Sequence, residues 1–223
     1  GADYELPNMT AYNETCAAIS MVYLFERMFL LHGESKYIDC MERTLYNGVI
    51  SGMSMDGGRF FYPNPLSSDG KYKFNADGNT TRQPWFGCAC CPSNLCRFIP
   101  SVPGYLYGVK GNNIYVNLFA GNTSTIKVNG KDVVLEETTE YPWNGDVKIA
   151  VKKSGVKNAN LLVRIPGWVR NQVVPSDLYK YSDAEKPAYS VTVNGKAVEA
   201  DLNANKGYLP VKNIKKGDVI RIH

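Results

Sequence analysis

The chain has 223 residues, of which 44% are apolar and 21% are charged, a balance that is ordinary for a globular protein. Its formal net charge is +4, and Lys and Arg are interspersed with Asp and Glu. This pattern argues against a nucleic-acid-binding protein, which would carry a basic stripe. No signal peptide or membrane-spanning apolar run is predicted, so no membrane is expected as a partner. The cellular location stays open, and a periplasmic and a cytoplasmic bacterial protein both agree with the sequence.

The first fifty residues predict two helices. Thr10 is the predicted N-cap of a helix that runs to about His32, where Gly33 supplies the stop. Apolar residues then recur with the 3.6-residue period from about Ser35 to Ile50, which predicts the second helix. Both helices are therefore expected to bury one apolar face.

A long excursion and a third helix follow. Residues 51–84 are rich in Gly, Asn and Pro, and ordered loops of this length are usually functional. The third helix is predicted to start near Ser93, with Pro92 in the preceding turn, and to end before Pro103.

From Tyr105 onwards the sequence is typical of short β-strands separated by turns. A Val-Asn-Gly-Lys sequence occurs twice, and Asn-Gly at the tip of a tight turn is a strong hairpin signal. The strand and hairpin segments are 105–109 with 114–118, 128–131, 193–196, 208–211 and 218–222. We therefore predict a helical part followed by a β-sandwich, with the boundary near residues 101–105.

Six cysteines allow three explanations, and four of them crowd into residues 88–96. Disulfides are one, although a chain of this size does not need such cross-links, and adjacent cysteines pair only with strain. Inert buried thiols are the second, and they suit Cys40 and Cys96, which lie within apolar helical patterns.

Metal binding is the third explanation. Zinc takes four ligands in a tetrahedron, favours thiolates and tolerates a carboxylate. Cys90 and Cys91 would supply two ligands, and Glu14 and Cys16 could supply two more. On a regular helix, however, residues two apart point roughly 200° away from each other. Either the first helix starts later than Thr10, or these two residues are not ligands of one ion.

Four segments together resemble the β-L-arabinofuranosidase family, formerly a domain of unknown function and similar to glycoside hydrolase families 127 and 146. The adjacent-cysteine motif and the Glu-Thr-Cys motif are the most specific part of the resemblance. The segments are Tyr4-Glu5-Leu6-Pro7-Asn8, Tyr12-Asn13-Glu14-Thr15-Cys16-Ala17, Cys90-Cys91-Pro92-Ser93-Asn94 and Arg164-Ile165-Pro166-Gly167-Trp168.

The resemblance implies a function and a zinc cofactor. Family members release terminal β-L-arabinofuranosyl residues from plant glycans with retention of configuration, so an arabinofuranose-containing glycan is the expected partner. Glu14, Cys16, Cys90 and Cys91 would hold Zn²⁺, and Cys90 would be the nucleophile. The implied fold is multidomain, with residues 1–103 as the last part of an (α/α) toroid catalytic domain and residues 104–223 as a β-sandwich domain.

The family's acid/base Glu has no counterpart in this sequence, and the resemblance places it upstream of Gly1. Glu5 is the nearest carboxylate, but it lies within another motif. Three helices cannot close a toroid, so exposed apolar helix faces are expected. The chain is therefore expected to be incomplete and poorly active alone, and to associate with the missing N-terminal part or with itself.

Three further side chains are candidates for sugar binding. Trp85 precedes the cysteines, and Arg59 and Tyr62 lie in the long loop. Each also has an ordinary explanation, because Trp packs in cores and Arg and Tyr are common on surfaces. Two other functions stay open: a non-catalytic carbohydrate-binding or structural fragment with a structural zinc site, and a disulfide-linked interaction module.

Overall fold

The computed structural model describes residues 3, 5, 7–183 and 189–223, so Gly1 and, from the first motif, Tyr4 and Leu6 lie outside the described residues. Within this part, the chain forms helices and two β-sheets, which confirms a multidomain protein of α and β structure. It divides into a helix-rich unit, Gly1–Arg27 with Cys40–Val102, and a strand-rich unit, Met28–Asp39 with Pro103–His223.

Three α-helices and several short helical turns are present among the described residues. The α-helices are α1, Thr15–His32; α2, Ser35–Thr44; and α3, Cys90–Phe98. The π-helical turn is Leu45–Val49, and the 3₁₀ turns are Ile50–Gly52, Ala76–Gly78, Ile99–Tyr105 and Gly167–Arg170.

The start of α1 differs from the sequence prediction. Thr10 does not cap this helix, which begins at Thr15 and ends at His32 as predicted. Residues 13–15 instead pair antiparallel with residues 62–64 through two backbone hydrogen bonds of 3.0 and 2.7 Å. Because these N–H and C=O groups bond to the long loop, the chain stays extended up to the first residue of the helix.

The other two helices also have shifted ends. The predicted second helix is α-helical only as far as Thr44, and it continues as the π-helical turn Leu45–Val49 and a 3₁₀ turn. The third helix begins at Cys90 rather than Ser93, so Pro92 lies in its first turn. Proline is tolerated there because the first N–H groups of a helix have no partner within the helix.

Ten strands form the two sheets in the described part of the chain. One sheet has the order β1-β2-β6-β9 and the other β3-β4-β5-β10-β7-β8, and every pairing is antiparallel except β2 with β6. The strands are β1, Tyr107–Lys110; β2, Asn113–Val116; β3, Asn122–Val128; β4, Lys131–Thr139; β5, Val147–Ser154; β6, Asn160–Arg164; β7, Val191–Val193; β8, Lys196–Ala197; β9, Tyr208–Val211; and β10, Val219–Ile222.

Both predicted Asn-Gly hairpins are confirmed. Asn129 and Gly130 join β3 to β4 with φ of 48° and 76°, and Asn194 and Gly195 join β7 to β8 with φ of 52° and 79°. Positive φ at both central residues is the geometry of a type I′ turn, which matches the twist of the flanking strands.

The strand-rich unit has one hydrophobic core to which both sheets contribute, with Ile114 and Leu161 from one sheet and Leu135 and Ile149 from the other. Residues 28–39 belong to this unit. There the fully buried Arg164 donates to Asp39 at 2.7 Å, and Phe29 contacts Tyr115 edge to face at 5.5 Å. An ion pair holds such a buried guanidinium because an unpaired buried charge is very costly.

The helix-rich unit leaves apolar side chains exposed, as expected. On α1, Ile19 and Val22 are fully buried, whereas Met21, Tyr23 and Leu24 are exposed. By length and composition alone α1 would also qualify as a membrane span, contrary to the prediction from sequence, but core helices of soluble proteins meet the same criterion. The absence of a membrane partner stays a prediction.

Candidate metal centre

Four predicted ligands lie together in the helix-rich unit. Glu14 forms an extended bridge with Pro63 immediately before α1, and Cys16 is in the first turn of that helix. Cys90 and Cys91 are the first two residues of α3. One ligand atom from each of the four lies within 4.8 Å of all the others. The structure therefore brings together residues that are more than seventy positions apart in sequence.

The spacing of these atoms suits a tetrahedral thiolate site. Sγ of Cys16 and Sγ of Cys91 are 3.4 Å apart, and Sγ of Cys90 and Sγ of Cys91 are 3.9 Å apart. Oε1 of Glu14 lies 3.8 Å from each of the adjacent sulfurs. Zinc–sulfur bonds of about 2.3 Å at the tetrahedral angle place two sulfurs about 3.8 Å apart. The donor set and its dimensions therefore agree with one Zn²⁺ ion.

The late start of α1 explains how Glu14 and Cys16 can face one ion. If both were within the helix, their side chains would point in nearly opposite directions. Glu14 is instead extended, held by the pairing of residues 13–15 with residues 62–64, so only Cys16 follows the helical geometry. Because the helix starts after Glu14, the two-residue spacing of Glu14 and Cys16 no longer prevents them from facing one ion.

Two helix N-termini supply positive electrostatic potential to the cluster. Cys16 lies at the start of α1, and Cys90 and Cys91 lie at the start of α3. The unpaired N–H groups of a first helical turn carry partial positive charge, which offsets part of the cost of an anion there. Burial nevertheless raises the pKa of the Cys16 thiol.

The adjacent cysteines differ in accessibility and in acidity. Cys91 is fully buried, whereas Cys90 is partly exposed. Burial tends to raise the pKa of the Cys90 thiol, but hydrogen bonds from Tyr62, Cys16 and Cys91 outweigh it and hold the pKa below its ordinary value. Burial, followed by the hydrogen bond with Cys16, raises the pKa of the Cys91 thiol. Of the two thiols, Cys90 is therefore the one that ionises more readily and is accessible to a bound molecule.

Two polar side chains adjoin these sulfurs: Tyr62, which was predicted as a sugar contact, and Asn94, to which the sequence analysis assigned no role. The Tyr62 hydroxyl hydrogen-bonds to Cys90, and it also shares a hydrogen bond with Tyr12. The Asn94 side chain hydrogen-bonds to the Cys16 sulfur. Asn94 lies four residues after Cys90 on α3, so helical spacing in the Cys-Cys-Pro-Ser-Asn segment was the available signal.

The three candidate sugar-binding residues occupy different surroundings. Tyr62 lies at the cluster, and its ring also contacts Phe86 edge to face at 6.1 Å. Trp85 is an exposed side chain, 63% accessible, and Arg59 is exposed in a turn whose backbone bonds to Ser54. Sugar binding by these three residues stays a prediction.

The remaining cysteines only partly match their predicted packing. Cys96 is exposed rather than buried, because the buried face of α3 is formed by Cys91, Leu95 and Phe98, and Cys96 lies one position off that row. Cys40 is half-buried. The cluster sulfurs are thiols, so the structure gives no intrachain disulfide at these positions.

Two family models match nearly the whole chain. The model of the β-L-arabinofuranosidase GH127 catalytic domain matches residues 1–104, and the model of the GH127 middle domain matches residues 113–223. The two matches cover the segments that carried the resemblance in the sequence.

Individual relatives agree with these models. A protein of Bifidobacterium longum subsp. longum named non-reducing end β-L-arabinofuranosidase is 33% identical over 228 residues, which are 99% of this chain and 31% of that protein. A solved structure of a GH127 β-arabinofuranosidase is 56% identical, with a TM-score of 0.92 over 100% of this chain and 34% of that one. A GH127 β-L-arabinofuranosidase from Geobacillus stearothermophilus T6 is 37% identical, with a TM-score of 0.82, and covers 100% of this chain and 33% of its own.

The chain thus spans about a third of the length of these relatives. Its helical and strand-rich parts match two consecutive domains of the same family. This chain belongs to the GH127 β-L-arabinofuranosidase family.

Proposed function

We propose that this chain carries the zinc site and the nucleophile of a retaining glycoside hydrolase that releases terminal β-L-arabinofuranosyl residues from plant glycans. The observation that carries the proposal is the cluster of three sulfurs and one carboxylate oxygen within 4.8 Å. The names of the relatives support the sugar, and because the chain covers about a third of each, activity and substrate are proposed for the protein that contains it.

Glu14, Cys16, Cys90 and Cys91 would hold the metal, and each supplies one donor atom. Zinc, when bound, would provide the positive charge that keeps its thiolate ligands ionised at neutral pH. A mixed set of thiolates and one carboxylate is chemically suited to zinc, whereas magnesium and calcium prefer oxygen ligands alone.

Cys90 would act as the nucleophile, because it is the accessible member of the adjacent pair. Its Sγ attacks the anomeric carbon of the sugar, and the bond from that carbon to the leaving oxygen breaks. A carboxylic acid protonates the leaving oxygen. Water, deprotonated by the same carboxylate, then displaces the sulfur, so two inversions give net retention. The resemblance assigns this carboxylate to a Glu upstream of Gly1.

Trp85, Arg59 and Tyr62 are proposed as glycan contacts. A Trp ring offers an apolar face to the C–H groups of a sugar, and Arg and Tyr offer donors to its hydroxyls. The Tyr62 hydroxyl is hydrogen-bonded to Cys90, so among the three it is closest to the proposed reaction.

We also propose the domain architecture of the family for this chain: residues 1–103 in an (α/α) toroid and residues 104–223 in a β-sandwich. The shared core of the two sheets supports the sandwich. The family models, which match residues 1–104 and 113–223, support a boundary near residue 103.

The test compares Cys90→Ser with Cys96→Ser in the intact protein on an aryl β-L-arabinofuranoside. Cys96 lies on the same helix but is exposed and outside the cluster. We expect Cys90→Ser to lower kcat/KM at least about 1,000-fold, because a nucleophile is lost, and Cys96→Ser to remain within about twofold. Mass spectrometry of the wild type should find a pentosyl adduct on the peptide that contains Cys90. Substantial turnover by Cys90→Ser would refute the nucleophile, and a wild type inactive on β-L-arabinofuranosides would refute the substrate.

A further inference from the structure

Asn75 lies buried in the long loop between the second helix and α3, with 3% of its surface exposed. Its side-chain amide makes four contacts. Oδ1 accepts from the N–H groups of Tyr62 (2.8 Å) and Ala76 (3.0 Å), and Nδ2 donates to the carbonyls of Phe60 (3.3 Å) and Thr81 (2.8 Å). Both donors and both acceptor sites of the amide are therefore used.

The segment that Asn75 holds, residues 60–62, has no regular sheet around it. Phe60 and Gln83 exchange two backbone hydrogen bonds of 2.8 and 2.9 Å, and the Phe61 N–H donates to the Gly52 carbonyl at 2.7 Å. Without the amide, the Tyr62 N–H would lose its hydrogen-bond acceptor, and the Phe60 carbonyl would keep only its bond from the Gln83 N–H. Such groups cost free energy unless they are paired.

The same segment contacts the metal centre directly. The Tyr62 carbonyl accepts from the Thr15 N–H at 3.0 Å, and the Thr15 hydroxyl donates to the Phe61 carbonyl at 3.0 Å. Thr15 is fully buried and lies between the two ligands at the start of α1. The Cys91 sulfur is 3.9 Å from the Tyr62 carbonyl. Residues 60–62 therefore contact both ligand-bearing helix starts.

We propose that Asn75 is a positioning residue of the metal centre, which fixes residues 60–62 and through them the separation between the start of α1 and the start of α3. This inference rests on the metal site of the proposed function. A zinc site tolerates little displacement of its donor atoms, because its bonds have fixed lengths and directions. A change at Asn75 acts on the metal, although its side chain is not a ligand.

The chemistry of the contacts distinguishes two substitutions. Asn75→Ala removes all four hydrogen bonds. Asn75→Asp keeps the acceptors for Tyr62 and Ala76, but it places a carboxylate oxygen against the carbonyl oxygens of Phe60 and Thr81, where both groups are acceptors. Asn75→Ala should therefore disturb the centre through the lost bonds, and Asn75→Asp should disturb it through repulsion and a buried charge.

The experiment measures zinc affinity by chelator competition and the sulfur-to-cobalt charge-transfer band of the cobalt(II)-loaded chain. We expect Asn75→Ala to weaken zinc binding about 10- to 100-fold, the range found for residues that orient metal ligands. The cobalt band should shift or lose intensity. Asn75→Asp should also weaken zinc binding and alter the cobalt band.

The matched control is Asn117→Ala in the strand-rich unit. Asn117 is as buried as Asn75, at 2%, and its Oδ1 accepts from the Tyr208 hydroxyl at 2.8 Å. The control should lose stability and keep zinc affinity and the cobalt band unchanged. If Asn75→Ala binds zinc as tightly as the wild type and its cobalt band is unchanged, the inference is overturned. If Asn75→Ala does not fold, the same result with Asn75→Asp overturns it. A wild-type chain that binds neither metal refutes the metal site itself.

Discussion

Glu137 is a single buried residue that can make the stability of this protein depend on pH. It lies on β4 with 2% of its surface exposed, and its oxygens accept from the Ala120 N–H at 3.0 Å and the Tyr107 hydroxyl at 3.1 Å. Burial is the main cause that raises the pKa of this carboxyl from 4.5 to about 7, although its hydrogen bonds oppose the shift. Burial also raises the pKa of Tyr107, so that phenol stays neutral.

We predict that Glu137 makes the free energy of unfolding fall as the pH rises. The folded pKa lies above the unfolded one, so the stabilisation is complete below pH 4.5 and is lost as the pH passes about 7. The difference between the two pKa values corresponds to about 3 kcal/mol. Denaturant titrations of Glu137→Gln should lack this decline, because the amide stays neutral, donates to Tyr107 and accepts from Ala120.

The control for this titration is Glu136→Gln, at the half-exposed carboxylate one position earlier that pairs with Lys152. It should leave the decline with pH in place, since the burial of Glu137 is unchanged. Equal pH profiles for the wild type and Glu137→Gln would show that the buried carboxyl is not the group responsible.

Among the secondary-structure elements, the start of α1 has the largest consequence for the site. Glu14 can approach the sulfurs only because the helix begins after it, and Thr15 makes this junction by bonding to the loop through its N–H and its hydroxyl. Gly52 packs against Thr15 so closely that an added Cβ would lie 2.7 Å from its Oγ1 and 2.9 Å from its Cγ2. The absence of a side chain at Gly52 therefore allows the helix to begin where it does.

We predict that Gly52→Ala destabilises the chain by about 1–3 kcal/mol through overpacking and weakens zinc binding. Thr15→Ala removes both clashing atoms, so the double variant Gly52→Ala with Thr15→Ala should lose less than the sum of the two single losses. Denaturant unfolding of the four proteins measures this coupling. The control is Gly104→Ala, where an added Cβ meets nothing within 4 Å and should leave stability unchanged. If the losses of the two single variants simply add in the double variant, the proposed clash is contradicted.

In the whole molecule, the proposed metal centre joins segments that lie far apart in the sequence. The extended residues before α1, the loop around residue 62 and the first turn of α3 meet at this cluster and at the hydrogen bonds beside it. A metal that binds the folded site more tightly than the unfolded chain also stabilises the fold of the segments that it connects. The strand-rich unit has its own hydrophobic core, to which both sheets contribute.

We predict that removal of zinc by a chelator loosens the protein locally. Amide hydrogen exchange should accelerate at Thr15, at Asn64 and in the first turn of α3, because these groups lose the metal link between them. The amide of Val151, which donates to the Asp218 carbonyl at 2.9 Å between β5 and β10, should keep its protection. Uniform acceleration throughout both units would contradict a local role for the metal.

Local signals in the sequence were sufficient for much of the fold and for the membership of the cluster. Asn-Gly pairs set both hairpin turns, because positive φ at two successive residues is accessible to few residue types. Residue chemistry and the resemblance identified the four members of the cluster, since adjacent cysteines and a Glu-Thr-Cys motif are specific patterns. The approximate positions of the first two helices followed from apolar periodicity, and that of the third followed from its flanking prolines.

Contacts between distant segments determined what the sequence could not. The pairing of residues 13–15 with residues 62–64 moved the start of α1 from Thr10 to Thr15, and this pairing forms only when the long loop has folded. The same holds for Asn75, whose partners lie up to fifteen residues away and leave no local pattern. The sequence was enough to say which atoms can bind the metal, whereas tertiary hydrogen bonding decided that they face one point, because the direction of a side chain depends on the backbone that its neighbours hold in place.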